Sequence, residues 1–290
     1  MSSPNVTTGL LAALGVIFVW SGFIVFSRAG VVSGLTPADV VTLRFAVAGL
    51  ITLPFALAWW PRHLSLGIQA LLTLCGPGFL YSLLMFTGLA KTSAAYGGVF
   101  SNGSLPIFTM LLVLAVSGER PSRPHLIATG VIVTGAILLG WRGMAESGPD
   151  VVTGVALFLT ASAILSVYIW GVRRWQLTPR QALAVVNIPN AVIFLPLWWL
   201  ALPSTMAEAE PLTVLLQALF QGLGPGFLAL ILFSMAAYHL GPGPTSAVSD
   251  SVPATAALLA IPVLGEVPQP LEWAGIAVVT IGLGMLLRAR

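Results

Sequence analysis

The sequence is poor in charge. Only 7% of its 290 residues are Asp, Glu, Lys or Arg, whereas 57% are hydrophobic. A soluble domain has about 25% charged residues, so this chain has too few to cover a surface that faces water. The composition therefore predicts an integral membrane protein in a lipid bilayer. The net charge of +3 fits arginines that anchor the ends of membrane spans, and no nucleic-acid partner is expected.

The sequence also lacks the motifs of several kinds of active site. The single cysteine, Cys75, excludes an internal disulfide, and no His or Cys spacing is typical of a metal site. It has no GxxxxGK[ST] phosphate loop and no GxSxG elbow. No cofactor, metal or catalytic residue is expected, and the chain is predicted not to be an enzyme. No signal peptide is expected either, since residues 1–5 carry no basic side chain.

Ten apolar stretches fill the chain, separated by short charged or Pro/Gly-rich breaks. They are residues 7–27, 37–60, 66–90, 92–117, 124–141, 151–172, 179–202, 211–239, 243–264 and 270–288. Each is close to the ~20 residues that a membrane-spanning helix needs. The two longest breaks, residues 142–150 and 203–210, are polar and predict loops.

Basic residues are distributed unevenly between these breaks. With a cytoplasmic amino terminus, the inner loops and tail hold Arg62, Arg120, Arg123, Arg173, Arg174, Arg180, Arg288 and Arg290. The outer loops then hold Arg28, Lys91 and Arg142. The positive-inside rule predicts that both termini are cytoplasmic. The expected location is the bacterial inner membrane, as a multi-pass protein.

The chain contains an internal repeat. The letters GPGFL occur at residues 76–80 and again at 224–228, inside corresponding apolar stretches. Further matches keep the same order, at an offset of 142 to 148 residues: Thr8-Gly9 with Thr153-Gly154, Thr36-Pro37 with Thr178-Pro179, Pro106 with Pro253, and Gly118-Glu119 with Gly265-Glu266. These matches predict two five-helix repeats, residues 1–145 and 146–290. Because five is odd, the second repeat crosses the membrane inverted.

Proline and glycine inside these stretches should weaken the helices at matched places. We therefore predict paired hinges beside a site at mid-membrane, where one half of the molecule can rock against the other. The hinge residues are Gly76, Pro77, Gly78, Pro106, Gly224, Pro225, Gly226 and Pro253.

Polar and aromatic residues inside the spans predict a substrate cavity, because a polar side chain is costly in lipid and usually faces the interior of the bundle. Several share a helix face at spacings of three or four residues. The predicted cavity residues are Trp20, Ser21, Tyr81, Tyr96, Ser101, Asn102, Ser166, Tyr168, Trp170, Asn187, Asn190, Ser249 and Asp250. The alternative is that Ser and Asn join helices and that the aromatics are core or interfacial residues.

Ionisable residues inside the spans are few. Asp250 is a candidate for binding the ammonium group of a substrate or a coupling proton, with a structural helix contact as the alternative. Arg44 could bind a carboxylate, but a structural role is favoured, either by snorkelling or by bonding carbonyl groups. Glu119 and Glu266, at the ends of matching spans, are interpreted as structural contacts beside the gates.

The order of these motifs resembles the drug/metabolite transporter superfamily, in its EamA-type branch. The residues that carry the resemblance are Trp20-Ser21-Gly22-Phe23, Leu43-Arg44-Phe45, and Pro106 and Pro253, each followed by Gly-Glu at the end of its span. The resemblance implies a bundle in which spans one to four and six to nine form the cavity and spans five and ten pack outside. The chain looks most like the YddG exporters of aromatic amino acids.

The sequence thus predicts a secondary active or facilitative transporter that exports small amphipathic metabolites, chiefly aromatic and other neutral amino acids. Protons are a candidate coupling ion, and a monomer is expected, with a homodimer as the alternative. Export of cationic drugs or other metabolites stays open. A non-transporting membrane scaffold or enzyme is the alternative from another class, and it would not need an inverted repeat with matched helix breaks.

Overall fold

The structure is a computed structural model that describes residues 5–146 and 148–288, with the side chains of residues 142–146, 234, 242–247, 249 and 287 left out. Helices dominate, and no β-strand occurs in the described ranges. Eight helices are long and apolar enough to cross a membrane, and two shorter apolar helices follow them. The prediction of an all-α membrane protein with ten spans in two inverted repeats is confirmed.

The spans are numbered 1 to 10 in chain order. The first five are Val6–Val32, Pro37–Trp59, Leu66–Lys91, Ala94–Ser117 and Arg123–Glu146. The second five are Pro149–Arg174, Pro179–Ala201, Pro211–Leu240, Pro242–Leu264 and Pro270–Arg288.

One of the two predicted loops is much shorter than expected. Span 5 stays helical through Glu146, and span 6 already begins at Pro149. A helix can continue through polar residues once it has left the membrane, so the polar composition did not predict where span 5 ends. Asp150 suits the first turn of span 6, where the helix dipole favours an acid. The loop at residues 203–210 is non-helical, as predicted.

Spans 2 and 7 begin with the same local structure. At Thr36 and at Thr178, the threonine hydroxyl accepts a hydrogen bond from the backbone N–H three residues on, and the side chain at that third position bonds back. These capping boxes satisfy backbone donors that a helix start leaves free. Matching sequence positions of the two repeats therefore start matching helices.

The helix ends lie at two faces of the bundle. We name one the Asn5 face, where the Asn5 backbone N–H donates to His239 Nδ1 at the end of span 8. We name the other the Arg28 face, where Arg28 at the end of span 1 bonds to Glu266 after span 9. Spans 1 and 7 start at the Asn5 face, and span 2 starts at the Arg28 face.

Spans 5 and 10 pack along each other with glycines at the contact. A Cβ added to Gly135 would lie 2.6 Å from the Val279 backbone nitrogen and 2.7 Å from the Gly275 carbonyl oxygen. Small residues let membrane helices approach closely, and dispersion contacts then replace the hydrophobic driving force that lipid does not provide. A Cβ on Gly130, in the same span, would meet nothing within 4 Å.

We predict that Gly135→Ala lowers the thermal unfolding midpoint of the detergent-solubilised protein, because the new methyl group collides with rigid backbone at a cost of about 1–3 kcal/mol. Gly130→Ala is the matched control and should change stability by less than about 0.5 kcal/mol. Equal midpoints for the two variants would contradict the packing described here.

Candidate substrate cavity

A cavity of about 460 Å³ lies between the two repeats. Its wall includes Arg44 and Tyr81 at one end and Pro179 and Ala182, in the first turn of span 7, at the other. Since span 7 starts at the Asn5 face, the cavity extends from the middle of the bundle toward that face. The volume is within the ~300–1,000 Å³ of small-molecule sites.

Six of the residues that the sequence predicts for the cavity lie on its wall. They are Trp20, Tyr81, Asn102, Tyr168, Asn187 and Asp250. Four predicted hinge residues lie there as well: Pro77, Pro106, Pro225 and Gly226. The side chains come from seven spans, so the fold brings together residues that are distant in the sequence.

Three predicted aromatic or amide residues are engaged elsewhere. The Tyr96 hydroxyl donates to the Leu139 carbonyl of span 5 at 3.0 Å. Trp170 packs edge-on against Trp175, with 5.5 Å between ring centroids. The amide of Asn190 is buried between spans 3 and 7. None of these side chains belongs to the cavity wall.

Three predicted serines are also away from the wall. Ser21 donates to the Val252 carbonyl at 3.5 Å, and Ser166 donates to the Ala163 carbonyl of its own helix at 2.7 Å. Ser101 is buried next to Tyr81. Ser21 and Ser101 thus contact neighbouring helices, as the alternative interpretation of in-span serines expects, whereas the Ser166 bond stays within its own helix. Ser249 lies in span 9, and its side chain is outside the described part of the structure.

The first GPGFL copy breaks span 3. The helix ends at Cys75 and a new one begins at Phe79, with Gly76 and Gly78 in extended conformations. The Asn190 side-chain oxygen Oδ1 accepts from the Phe79 N–H at 2.7 Å, so a side chain of span 7 caps the new helix. A Cβ at Gly78 would collide with this amide, which explains the need for glycine.

The second copy has a different conformation. Residues Gly224–Leu228 form a π-helical turn, and the chain stays helical through it. At the offset of span 2 from span 7, the counterpart of Asn190 is Ala48, which has no amide to cap a break. Identical letters thus fold differently because the neighbouring span differs.

The other predicted hinges also differ from one another. Pro106 begins the second helix of span 4, after a π-helical segment at Gly97–Gly103. Pro253 lies inside the continuous helix of span 9. A Cβ on Gly98 would lie 3.1 Å from Pro253 Cα, so spans 4 and 9 cross closely at this point. That these points bend during transport stays a prediction.

Several wall residues were not predicted. Phe23 and Phe233 add aromatic surface, and the Phe233 ring lies 5.6 Å from the Trp20 ring. Arg44, for which the sequence favoured a structural role, lies on the wall as well. The signal that could have placed Arg44 on the wall was its position inside a span, where a charged residue usually faces the interior of the bundle. Phe233 gave no signal, because an apolar residue is unremarkable anywhere in a span, and Phe23 was noted only as part of the motif Trp20-Ser21-Gly22-Phe23.

Span 10 also reaches the cavity, through Leu283. Span 10 otherwise packs along span 5, so the expectation that spans 5 and 10 pack outside the cavity is modified at this one residue. Gly103 in span 4 is the physical reason, since a Cβ there would lie 3.0 Å from Val279 of span 10. Without a side chain at Gly103, span 10 can approach closely enough to contribute to the wall.

Polar contacts close the bundle at the Arg28 face. Arg28 Nε donates to Glu266 at 2.8 Å and Arg28 Nη1 donates to the Leu89 carbonyl at 2.6 Å. The other Glu266 oxygen accepts from the Ala94 N–H at 2.9 Å. Nearby, Gln217 of span 8 donates to the Phe26 carbonyl at 2.6 Å. These contacts join spans 1, 3, 4, 8 and 9 above the cavity.

A buried carboxylate joins span 2 to span 7 at the same face. One Asp39 oxygen accepts from Trp198 Nε1 at 2.8 Å and from the Ser204 hydroxyl at 2.6 Å. The other oxygen accepts from the backbone N–H groups of Thr205 and Thr36, each at 3.0 Å. This charge is stabilised by hydrogen-bond donors alone, and the site was not predicted from the sequence.

The EamA-like transporter family matches the chain twice, at residues 7–141 and at residues 152–288. The chain belongs to the EamA-like transporter family. It is therefore a membrane transporter with a small-molecule substrate, and not an enzyme. The two matches have the order and the length of the two repeats, although the boundary between residues 145 and 146 stays a prediction.

Relatives of this EamA transporter agree with the family. The chain is 29% identical to the uncharacterized transporter YwfM of Bacillus subtilis (strain 168), over 92% of this chain and 91% of that one. It is 24% identical to a "probable terminal-alkyne amino-acid exporter" of Streptantibioticus cattleyicolor, over 63% of this chain and 61% of that one. A solved crystal structure, 18% identical, has the same fold, with a TM-score of 0.63 over 97% of this chain and 96% of that one.

Proposed function

We propose that this EamA transporter exports small amphipathic metabolites, chiefly aromatic and other neutral amino acids, by alternating access. The observation that carries the proposal is the character of the cavity. Aromatic and aliphatic side chains form most of its wall, and a small number of polar groups, among them Asn102, Asn187 and Asp250, interrupt it. Such a wall suits a molecule with a large apolar side chain and a compact polar head.

The comparisons support an amino-acid substrate without naming it. One relative is described as a probable terminal-alkyne amino-acid exporter. The overall likeness of the sequence to the YddG exporters of aromatic amino acids favours the same substrate class. The five aromatic wall residues provide surfaces on which an aromatic side chain can stack. They are Trp20, Phe23, Tyr81, Tyr168 and Phe233.

The distribution of charge indicates how the chain is oriented in the membrane. The Asn5 face includes Arg62, Arg120, Arg123, Arg173 and Arg174, whereas Arg28 and Lys91 lie at the opposite face. The positive-inside rule then assigns the Asn5 face to the cytoplasm of a bacterial inner membrane. The cavity faces the cytoplasm in this arrangement, which is the state that loads an export substrate.

Two energy sources fit the cavity. Asp250 can exchange a coupling proton with the cytoplasm, since it lies on the wall of the cavity. Facilitated diffusion down an outward gradient needs no titrating group. Cationic drugs are the second candidate substrate class, and the acid at Asp250 is the observation that favours them.

The proposal predicts protein-dependent efflux of labelled L-tryptophan or L-phenylalanine from proteoliposomes, measured against liposomes without protein. A panel of unlabelled amino acids and flat organic cations then ranks the substrates by competition. Efflux of the cations without efflux of any amino acid would contradict the proposed function and favour drug export. The same vesicles without and with an imposed pH gradient separate facilitated from proton-coupled transport.

Asp250→Asn should lower amino-acid efflux about tenfold, because the substrate ammonium loses a charged hydrogen-bond partner that contributes roughly 1.5–3 kcal/mol. If Asp250 also carries the coupling proton, the response to a pH gradient disappears with it. Asp150→Asn is the matched control, since Asp150 is exposed at the Arg28 face and pairs there with Lys91. Unchanged efflux and unchanged pH dependence in Asp250→Asn would exclude both roles.

A further inference from the structure

We infer that Arg44 binds the carboxylate of the transported molecule, at the end of the cavity nearer the Arg28 face. The inference rests on the proposed function and goes further, because it names a chemical group that a preferred substrate carries. Arg44 is the basic residue among the described residues of the wall. Along its helix, Arg44 lies about 10 Å from the start of span 2, which is at the Arg28 face. Asp250 lies about 12 Å from the start of span 9, which is at the Asn5 face.

The charge of Arg44 is not compensated by the protein that surrounds it. The residue is 6% exposed, and no ion pair involves it among the described residues. Its one hydrogen bond joins Nη2 to the Pro77 carbonyl at 3.2 Å, and buried Nη1 has no partner there. A guanidinium has five N–H donors, so most of its hydrogen-bonding capacity is free.

Aromatic rings hold the guanidinium in place without neutralising it. Arg44 Cζ lies 5.1 Å from the Phe23 ring centroid and 5.6 Å from the Phe45 ring centroid. Cation–π contacts of this kind orient a guanidinium and contribute roughly 0.5–2 kcal/mol, which is less than the several kcal/mol that a charge inside a membrane costs. A substrate carboxylate would form the paired hydrogen bonds that fit this side chain best.

The internal repeat shows that the fold does not require the charge. The counterpart of Arg44 in span 7 is Val186, which also lies on the cavity wall. The same helix therefore packs in the second repeat with an apolar residue at this position. A charge that is present in only one of two equivalent places is explained better by a ligand than by the architecture.

The break in span 3 adds a second attraction for an anion. The helix Phe79–Lys91 begins next to Pro77, the residue that Arg44 contacts, and Tyr81 in its first turn lies on the wall. The amino-terminal end of a helix has a partial positive charge that attracts an anion, and here the Phe79 N–H already bonds to Asn190. Together with the unpartnered Arg44 nitrogen, this helix end favours a carboxylate at the end of the cavity where Pro77 and Tyr81 lie.

The test compares each carboxylate with its amide. In proteoliposomes, wild-type protein should transport L-tryptophan at least about tenfold better than L-tryptophanamide, the factor expected for a charged hydrogen bond. Arg44→Gln should reduce this preference to about one, because the pair that distinguishes the two molecules is gone. Arg62→Gln, at an exposed arginine outside the cavity, is the control and should keep the wild-type preference.

A binding measurement makes the result independent of amino-acid export and of the folding of the variants. Indole-3-propionate should raise the thermal unfolding midpoint of the wild-type protein more than indole-3-propionamide does. Absence of amino-acid efflux together with this preference would contradict the proposed function and leave the carboxylate site supported. Equal stabilisation by acid and amide, or no stabilisation by either, would overturn the inference, as would an Arg44→Gln protein that still prefers tryptophan to its amide.

The geometry points to a second, independent property: an ion pair between Arg173 and Glu119 that forms at the Asn5 face when the Arg28 face opens. The offset of the second repeat relates Arg28 to Arg173 and Glu119 to Glu266. Arg28 and Glu266 pair at the Arg28 face, which is closed. Arg173 and Glu119 are both exposed at the Asn5 face, toward which the cavity extends.

Another pair of contacts shows that residues related by the repeat make equivalent contacts at the helix ends. Lys91 pairs with Asp150 at the Arg28 face, and Asn5 bonds to His239 at the Asn5 face. The repeat relates Lys91 to His239 and Asp150 to Asn5. Both contacts of this set are formed at once, so they join parts that stay together. The Arg–Glu contacts differ, since one is formed and its counterpart is not.

An inverted repeat explains the difference. When each half adopts the conformation of the other, contacts at one face are exchanged for equivalent contacts at the opposite face. The second half of span 4, which ends next to Glu119, already packs against span 6, which carries Arg173. The missing pair therefore needs a relative movement of neighbouring helices and no new fold.

A cysteine reporter tests the exchange without any substrate. In a Cys75→Ala background, Ala182→Cys places a thiol on the cavity wall near the Asn5 face, where a membrane-impermeant maleimide can react with it. Glu266→Gln breaks the formed pair and should slow labelling about threefold, a shift of the size that one ion pair can produce. Adding Glu119→Gln should restore the faster labelling, whereas adding Arg174→Gln, at the neighbouring exposed arginine, should not.

The charge-reversed combination Arg173→Glu with Glu119→Arg, in the Glu266→Gln background, should keep labelling slow because the pair can form again. Fast labelling in that combination would overturn the proposal. It would also be overturned if Glu266→Gln labelled at the same rate as its parent, or if Glu119→Gln had no effect in that background. Both proposed partners are exposed, so their substitution does not disturb the core.

Discussion

The break in span 3 is the constraint on which the cavity depends. In lipid, a backbone N–H without a partner costs several kcal/mol, so a helix can break only where another group satisfies it. Asn190 supplies that group by accepting from the Phe79 N–H, while its own amide donates to the Thr73 and Val186 carbonyls at 3.3 and 2.7 Å. Spans 3 and 7 are thereby joined at the place where Pro77 and Tyr81 turn to the cavity.

The two repeats are related in sequence but unequal in structure, and the inequality has identifiable causes. Span 8 lacks a cap equivalent to Asn190, so its GPGFL copy keeps a helical π-turn. Arg44 is matched by Val186, and Asp250 is matched by Gly103, so each charge of the cavity occurs once. Repetition thus provides the frame, and single-copy residues give the cavity its polarity. A perfectly symmetric chain would have no distinct ends to its binding site.

The spans and the repeat could be predicted from the sequence because lipid leaves few alternatives: an apolar stretch of this length has to be a helix. The cavity was less predictable, since a helical spacing shows which residues share a face and not what that face contacts. Asn187 and Asn190 share a face, yet Asn187 lies on the wall and Asn190 caps span 3. Tyr168 lies on the wall, while Trp170, two residues later, packs against Trp175.

The charges of the cavity restrict its substrates more than its shape does. An apolar wall of this volume would accept many aromatic molecules, cationic drugs included. A cation would gain from Asp250 and lose near Arg44, and an anion would meet the reverse. A zwitterion with its ammonium toward Asp250 and its carboxylate toward Arg44 gains at both ends, and the cavity with its substrate then carries no additional net charge. Under the proposed assignments, a neutral amino acid is the cargo that lets a charged, lipid-enclosed site change the face to which it opens at the lowest electrostatic cost.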